Sequence, residues 1–161
     1  MNKYFFILLM LFSFSVNAEI FTPDTTPDAN SIHELWLTSG FATYHFQTDQ
    51  HLRNDNAGAG LEYRYSPNHA VSVGRFNNSD WQTTRYAAVL YQPIKWGKVN
   101  FGAVIGLFDG YPKVNNSGWF IAAIPAASLE YKRIGANLAI VPTYHDKLHG
   151  SVSLQLKFKL L

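Results

Sequence analysis

From Ser151 to Leu161 the chain reads SVSLQLKFKLL, in which Val152, Leu154, Leu156, Phe158 and Leu160 alternate with Ser153, Gln155, Lys157 and Lys159. A period of two makes a strand with one apolar and one polar face. The same period returns upstream. In AGAGLEYRYS, Ala59, Leu61, Tyr63 and Tyr65 share one face, and Gly58, Gly60, Glu62 and Arg64 share the other. Residues 66–68 form a turn, after which HAVSVGRF sets Val71 and Val73 opposite Ser72 and Gly74. RYAAVLYQP runs to a turn expected at residues 93–98. VNFGAVIGLFDG, WFIAAIPAASLEY and IGANLAIVP follow, and LWLTSGFATYHF supplies a first strand. About eight strands of this length are the minimum for a bacterial single-chain membrane barrel. No helix of useful length is expected after Trp36, while a short one capped by Asn30 or Ser31 fits DANSIHELW.

The first residues, MNKYFFILLMLFSFSVNAEIF, have the anatomy of an export signal. Lys3 is the positive region, Tyr4 to Val16 the apolar region, and Val16-Asn17-Ala18 a small-residue cleavage site. The apolar run is short for a membrane-spanning helix, which needs about 20 residues. The expected organisation is a signal peptide at 1–18, an N-terminal segment at 19–35 and a barrel at 36–161.

Aromatic residues make up 16% of the chain and charged residues only 15%, a balance that suits a surface facing lipid. The segment after the leader has no apolar run long enough for a membrane helix. An exported chain of this kind can still cross a bilayer as a closed barrel, which leaves no backbone group unpaired in hydrocarbon. The expected fold is therefore an all-β, eight-stranded antiparallel transmembrane β-barrel. A formal charge of +2, without a basic run, gives no nucleic-acid footprint. Cysteine is absent, which removes disulfides and thiolate chemistry. No metal site or cofactor is expected.

The middle strands carry small apolar residues on both faces, such as Gly102, Val104 and Gly106 behind Phe101, Ala103 and Ile105. A water-filled channel would put charges on one of those faces. A dry interior follows, either hollow enough to take a hydrocarbon chain or filled by its own side chains, as a barrel of this size allows. IPAASLEY and IVPTY each place a proline in a strand, Pro125 and Pro142. Proline has no N–H for a ladder. Two in consecutive strands could hold one seam open in the wall, or mark two bulges near the rim.

The order of these segments resembles the lipid A palmitoyltransferase family, from about Thr43 to Leu161. IPAASLEY followed by IVPTY is similar to the family's proline pair beside a lateral lipid opening. NDNAGAGLEYR is similar to its Asn- and Gly-rich second strand, GRFNNSDW to its active-site stretch, and TYHF places a histidine before the first loop as the family does. The resemblance implies an outer-membrane enzyme of Gram-negative cells. Such an enzyme moves a palmitoyl chain from a phospholipid donor to lipid A, works as a monomer among membrane lipids, and needs no cofactor. It also implies roles for His45 and Ser79 as reacting residues, with Pro125 and Pro142 flanking the lipid entrance. The family's aspartate falls on Asn78, a departure, and the segment before His45 is shorter than in the family.

Acyl transfer to a hydroxyl needs a base, and imidazole is the side chain that exchanges protons near neutral pH. On the implied roles His45 is that base, and Ser79 is either a nucleophile or a group that positions the ester. Asn78 can orient an imidazole but cannot balance an imidazolium, and the equivalent Asp-to-Asn change in serine protease triads costs about 10⁴ in rate. Without the resemblance, Asn77-Asn78-Ser79-Asp80 reads as a surface turn. Asp80 points away from Ser79 unless the segment is a loop. His51, His69, His145 and His149 read as loop residues, and Arg53, Arg75 and Arg85 as rim charges that could also meet lipid A phosphates. His149-Gly150-Ser151 faintly resembles the His-x-Ser of lipid A deacylase barrels. A deacylase-type esterase and a non-catalytic lipid-binding barrel are the alternative functions.

Overall fold

A computed structural model describes residues 22–23, 32–47, 49–145 and 147–161. The signal-peptide boundary and the proposed helix caps lie outside these residues. Eight long strands form the barrel: β1 (Glu34–His45), β2 (Asp55–Arg64), β3 (His69–Asn77), β4 (Thr83–Trp96), β5 (Val99–Phe108), β6 (Phe120–Tyr131), β7 (Ile134–Val141) and β8 (Ser151–Lys159). Each pairs antiparallel with its sequence neighbours, and β1 pairs with β8 to close the ring. A two-residue bridge, Thr22–Pro23, pairs with Lys95 and Ile94 on β4. Among the described residues the only helical element is a 3₁₀ turn at Asn115–Ser117.

Three expectations need correction. Glu34 to Trp36 belong to β1, so no helix includes them. β4 does not stop at Pro93 but continues to Trp96, with a register shift between Tyr91 and Ile94. A proline without a ladder donor is tolerated at such an irregularity. His69 opens β3 instead of sitting in a loop, and its ring stacks on Tyr65 and Tyr91.

Residues 65–68, 97–98 and 132–133 make short turns at one end, while 46–54, 78–82, 109–119 and 142–150 make longer loops at the other. Membrane barrels are asymmetric in this way. The outer wall is apolar: Leu37, Val73, Val89, Ile105, Ile121, Leu138, Leu154 and Leu156 are all exposed. Exposed aromatics mark both ends, with Tyr44, Phe46, Trp81 and Trp119 near the loops and Tyr63, Tyr91, Trp96 and Tyr131 near the turns. An apolar band between aromatic girdles matches a bilayer and its two interfaces.

The alternation in β1 is interrupted. Glu34, Trp36 and Thr38 point inward, and so do Phe41, Thr43 and His45, because the register shifts between Ser39 and Phe41. The bulge requires Gly40, where an added Cβ would lie 2.1 Å from the Asn56 carbonyl oxygen. This one-residue slip carries His45 into the barrel.

The interior divides along its length. Toward the short turns it holds charges, so the dry interior expected from the middle strands does not extend to that end. Lys157 Nζ lies 2.6 Å from both Glu62 and Glu130, and Arg64 lies 3.0 Å from Glu130. Lys159 pairs with Glu34, and both lysines face the Trp36 ring. Three cations and three carboxylates balance, as buried charges must. Above them Gln92, Ser128, Asn137 and Gln155 form a hydrogen-bonded layer. The inner glycines of β2 and β3 do not leave empty space. Cβ atoms at Gly60 and Gly74 would sit 2.5 and 2.7 Å from the Tyr86 hydroxyl, so the Tyr86 side chain occupies that room.

Against β5, β6 and β7 the packing is looser. Val104, Phe108, Phe120, Ala122, Ile124, Ala139 and Val141 point inward but are only half-buried, whereas Leu90 and Ala126 below them are buried. The wall is incomplete at the same place. Pairing of β6 with β7 begins at Ala126↔Ala139. Phe120 to Pro125 pair with β5 alone, and Ile140 and Val141 with β8 alone. Pro125 stands at the first missing rung and Pro142 directly follows the end of β7. A proline at each side of the gap removes a ladder donor where the sheet would otherwise zip further.

Candidate functional site

His45 ends β1 on the inner face at the loop end and is 6% exposed. Its backbone is in register with Ser151 of β8, and Ser151 is in register with Val141, the last residue of β7. Two strand spacings, roughly 10 Å, therefore separate His45 from the seam.

The structure brings His45 and Ser79 together, with Nε2 2.8 Å from Ser79 Oγ. On the other side of the ring, Nδ1 lies 2.8 Å from Asn54 Oδ1. A carboxamide oxygen only accepts, so Nδ1 carries the proton and Nε2 keeps the lone pair that faces the serine hydroxyl. Asn54 is fixed by the hairpin itself, because its carbonyl accepts from the Thr43 N–H at 2.9 Å. Ser79 is tied to the same loop through its carbonyl, which accepts from the Arg53 N–H at 3.0 Å.

Asn78 is not brought to His45. It is fully buried, and its amide nitrogen donates to Thr84 Oγ1 at 3.1 Å and to the Gly110 carbonyl at 2.8 Å. Its Oδ1 accepts from the N–H groups of Asp80 and Gln82 at 3.0 and 2.9 Å. All of its hydrogen-bonding capacity goes into shaping the 78–82 loop that presents Ser79. The imidazole-orienting role inferred for Asn78 therefore falls to Asn54. Asn54 lies within the NDNAGAG segment, yet no local signal singles it out. Only the pairing of β1 with β2 places it behind the histidine.

Around this pair, the β5–β6 loop is locked onto the start of β4. Asp109 accepts from the Arg85 backbone N–H at 2.6 Å and from its guanidinium at 2.7 Å, and Arg85 lies over the Trp119 ring. Burial, with the Asp80 carboxylate second, pushes the Tyr111 phenol well above its ordinary range. Tyr111 packs edge-on against Phe120, which continues through Phe108, Tyr86 and Phe76 to Phe41. This arc of rings lines the loop half of the interior. His149 makes no hydrogen bond to Ser151 among the described residues, and Ser151 is buried within β8. No group of three metal-ligating side chains occurs among the described residues.

No family model matches the chain, and no curated protein matches it. Among solved structures, the chain is similar to the solution NMR structure of the de novo designed TMB2.3, with a TM-score of 0.53 and 13% identity. The match covers 83% of this chain and 98% of that one. At that identity it bears on the fold alone, and the fold it supports is a transmembrane β-barrel.

Proposed function

We propose that the protein is an outer-membrane acyltransferase of Gram-negative cells, moving a fatty acyl chain, palmitoyl on the family resemblance, from a phospholipid to lipid A. One observation carries the reading: a histidine–serine pair stands two strands from a gap in the barrel wall, beside half-buried inner walls of Val, Ala, Ile and Phe. A lipid tail passing through the gap between β6 and β7 would enter an apolar space with its ester held near the loop end.

His45 Nε2 then takes the proton from Ser79 Oγ as that oxygen attacks the ester carbonyl. The tetrahedral intermediate expels the lysophospholipid alkoxide, which recovers the proton from the imidazolium. A lipid A hydroxyl repeats the sequence on the acyl-serine, its proton passing to His45 and then to Ser79 Oγ as the acyl chain leaves. Asn54 holds the imidazole in the required tautomer. Among the described residues no carboxylate is hydrogen-bonded to the ring, so the imidazolium lacks the charge partner that a triad provides. A slow enzyme is the expected consequence.

The test is expression in a Gram-negative strain that lacks lipid A acyltransfer at the cell surface. Mass spectrometry of its lipid A should show a species heavier by one acyl chain. An unchanged spectrum from a correctly inserted barrel would refute the transfer, and a lighter species would establish a deacylase instead.

A further inference from the structure

Ser79 has a second aspect besides its contact with His45. It opens onto a cavity of about 260 Å³ walled by His51, Asp80, Trp81 and Lys113. Two of these residues hold left-handed backbone, His51 with φ 50° and Trp81 with φ 62°. Histidine adopts that conformation more readily than most residues, but for the bulky Trp81 it is an outlier, which persists where the surrounding structure imposes it. Here the Trp81 indole N–H donates to the His51 carbonyl at 3.1 Å, fastening the strained residue to the β1–β2 loop. The tryptophan nevertheless remains 66% exposed. The Arg53 guanidinium lies 5.3 Å from its ring centroid, and Lys113 makes no ion pair among the described residues.

A strained aromatic plate held out beside a serine, flanked by two cations, is arranged for a ligand with a flat, C–H-rich face and an anionic group. The geometry points to the phosphorylated sugar headgroup of the acceptor lipid. One sugar ring lies on Trp81, a phosphate meets Lys113 and Arg53, and Asp80 accepts from a sugar hydroxyl or amide N–H. The Asp80 carboxylate would repel a phosphate placed next to it, which fixes the phosphate on the Lys113 side. A sugar hydroxyl then reaches Ser79 from the loop side while the donor ester arrives through the wall. This assignment deepens the acyltransfer reading and rests on it for the identity of the acceptor, but binding can be measured without turnover.

The experiment is an NMR titration of the full barrel in bicelles, following the Trp81 indole N–H, identified by its disappearance in Trp81→Phe. The probes are diphosphorylated lipid A, its dephosphorylated form and phosphatidylglycerol. Lipid A should shift the signal saturably. Dephosphorylation and Lys113→Ala should each weaken the apparent affinity at least fivefold, with the rest of the amide spectrum unchanged. Equal response to phosphatidylglycerol would mean a general anionic-lipid site and overturn the sugar assignment. No shift with lipid A would overturn it outright. A barrel that binds lipid A here yet transfers no acyl chain would sink the proposed activity and leave the headgroup site standing.

Discussion

Nε2 of His45 and Oγ of Ser79 lie 2.8 Å apart although 34 positions separate them in the chain. A strand bulge and a loop make the meeting possible. The bulge in β1 turns His45 inward, and the buried Asn78 bends residues 78–82 so that Ser79 faces it. Removing either reacting group should therefore abolish acyl transfer while the barrel stays folded. His45→Ala and Ser79→Ala are each expected to lower the rate by about 10²–10⁴. Asn54→Ala should cost less than His45→Ala, since it loosens the ring without deleting it. Initial rates with a radiolabelled phospholipid donor, beside heat-modifiable gel mobility as the folding control, measure all three.

Asn78→Asp separates the two roles considered for that residue. If position 78 served the imidazole, a carboxylate would speed the enzyme. In the structure both amide hydrogens are committed, one of them to the Gly110 carbonyl. An aspartate would lose those donors and set its charge against a carbonyl oxygen. The expected result is a loss of about 1–3 kcal/mol of stability and lower, not higher, activity, read from urea unfolding and from the same rate assay.

The charged layer near the short turns should behave as a buried network. Lys157→Met leaves the fully buried Glu62 and the partly buried Glu130 with one cation fewer. Removing one partner of such a set costs about 3–5 kcal/mol. Reversible urea unfolding in lipid vesicles should show it as a lowered midpoint.

Tyr86 offers a contrasting substitution. Its hydroxyl is buried without a hydrogen-bond partner among the described residues, so Tyr86→Phe should change stability by less than about 1 kcal/mol. Gly60→Ala should destabilise by about 1–3 kcal/mol, because its new methyl meets both that hydroxyl and the Val73 carbonyl oxygen. Equal effects in the same unfolding assay would contradict the packing described.

Prolines 125 and 142 can be tested through the ladder they interrupt. With Pro125→Val and Pro142→Val together, the rungs above Ala126↔Ala139 should form. Hydrogen exchange should slow at whichever of Ile140 and Val141 directs its N–H toward β6, and acyl transfer should fall. Slowed exchange with unchanged transfer would exclude this seam as the entrance.

Much of the barrel is written in local pattern. β8 and β2 alternate without a break, so their inner and outer faces can be assigned directly. β1 cannot be read this way, because its bulge reverses the parity between Thr38 and Phe41. Pro93 misleads for a related reason: it ends a strand in local terms, but the neighbouring β5 continues the pairing beyond it. The lumen is half legible. Glu62, Arg64, Lys157 and Lys159 alternate visibly inward, yet their assembly with Glu130 into one neutral cluster depends on closure of the ring. His45 and Ser79 are accessible through resemblance, whereas Asn54 is not, since its role depends on hairpin pairing and loop packing.

The central claim is that a hydrocarbon chain occupies the inner space behind the β6–β7 gap. Nuclear Overhauser spectra of the methyl-labelled barrel in lipid nanodiscs test it most directly. The acyl methylenes should give cross-peaks to the inward methyls of Val104, Ile124 and Val141 as well as to the outward Ile105, Ile121 and Ile140. Cross-peaks confined to the outward set would contradict the account.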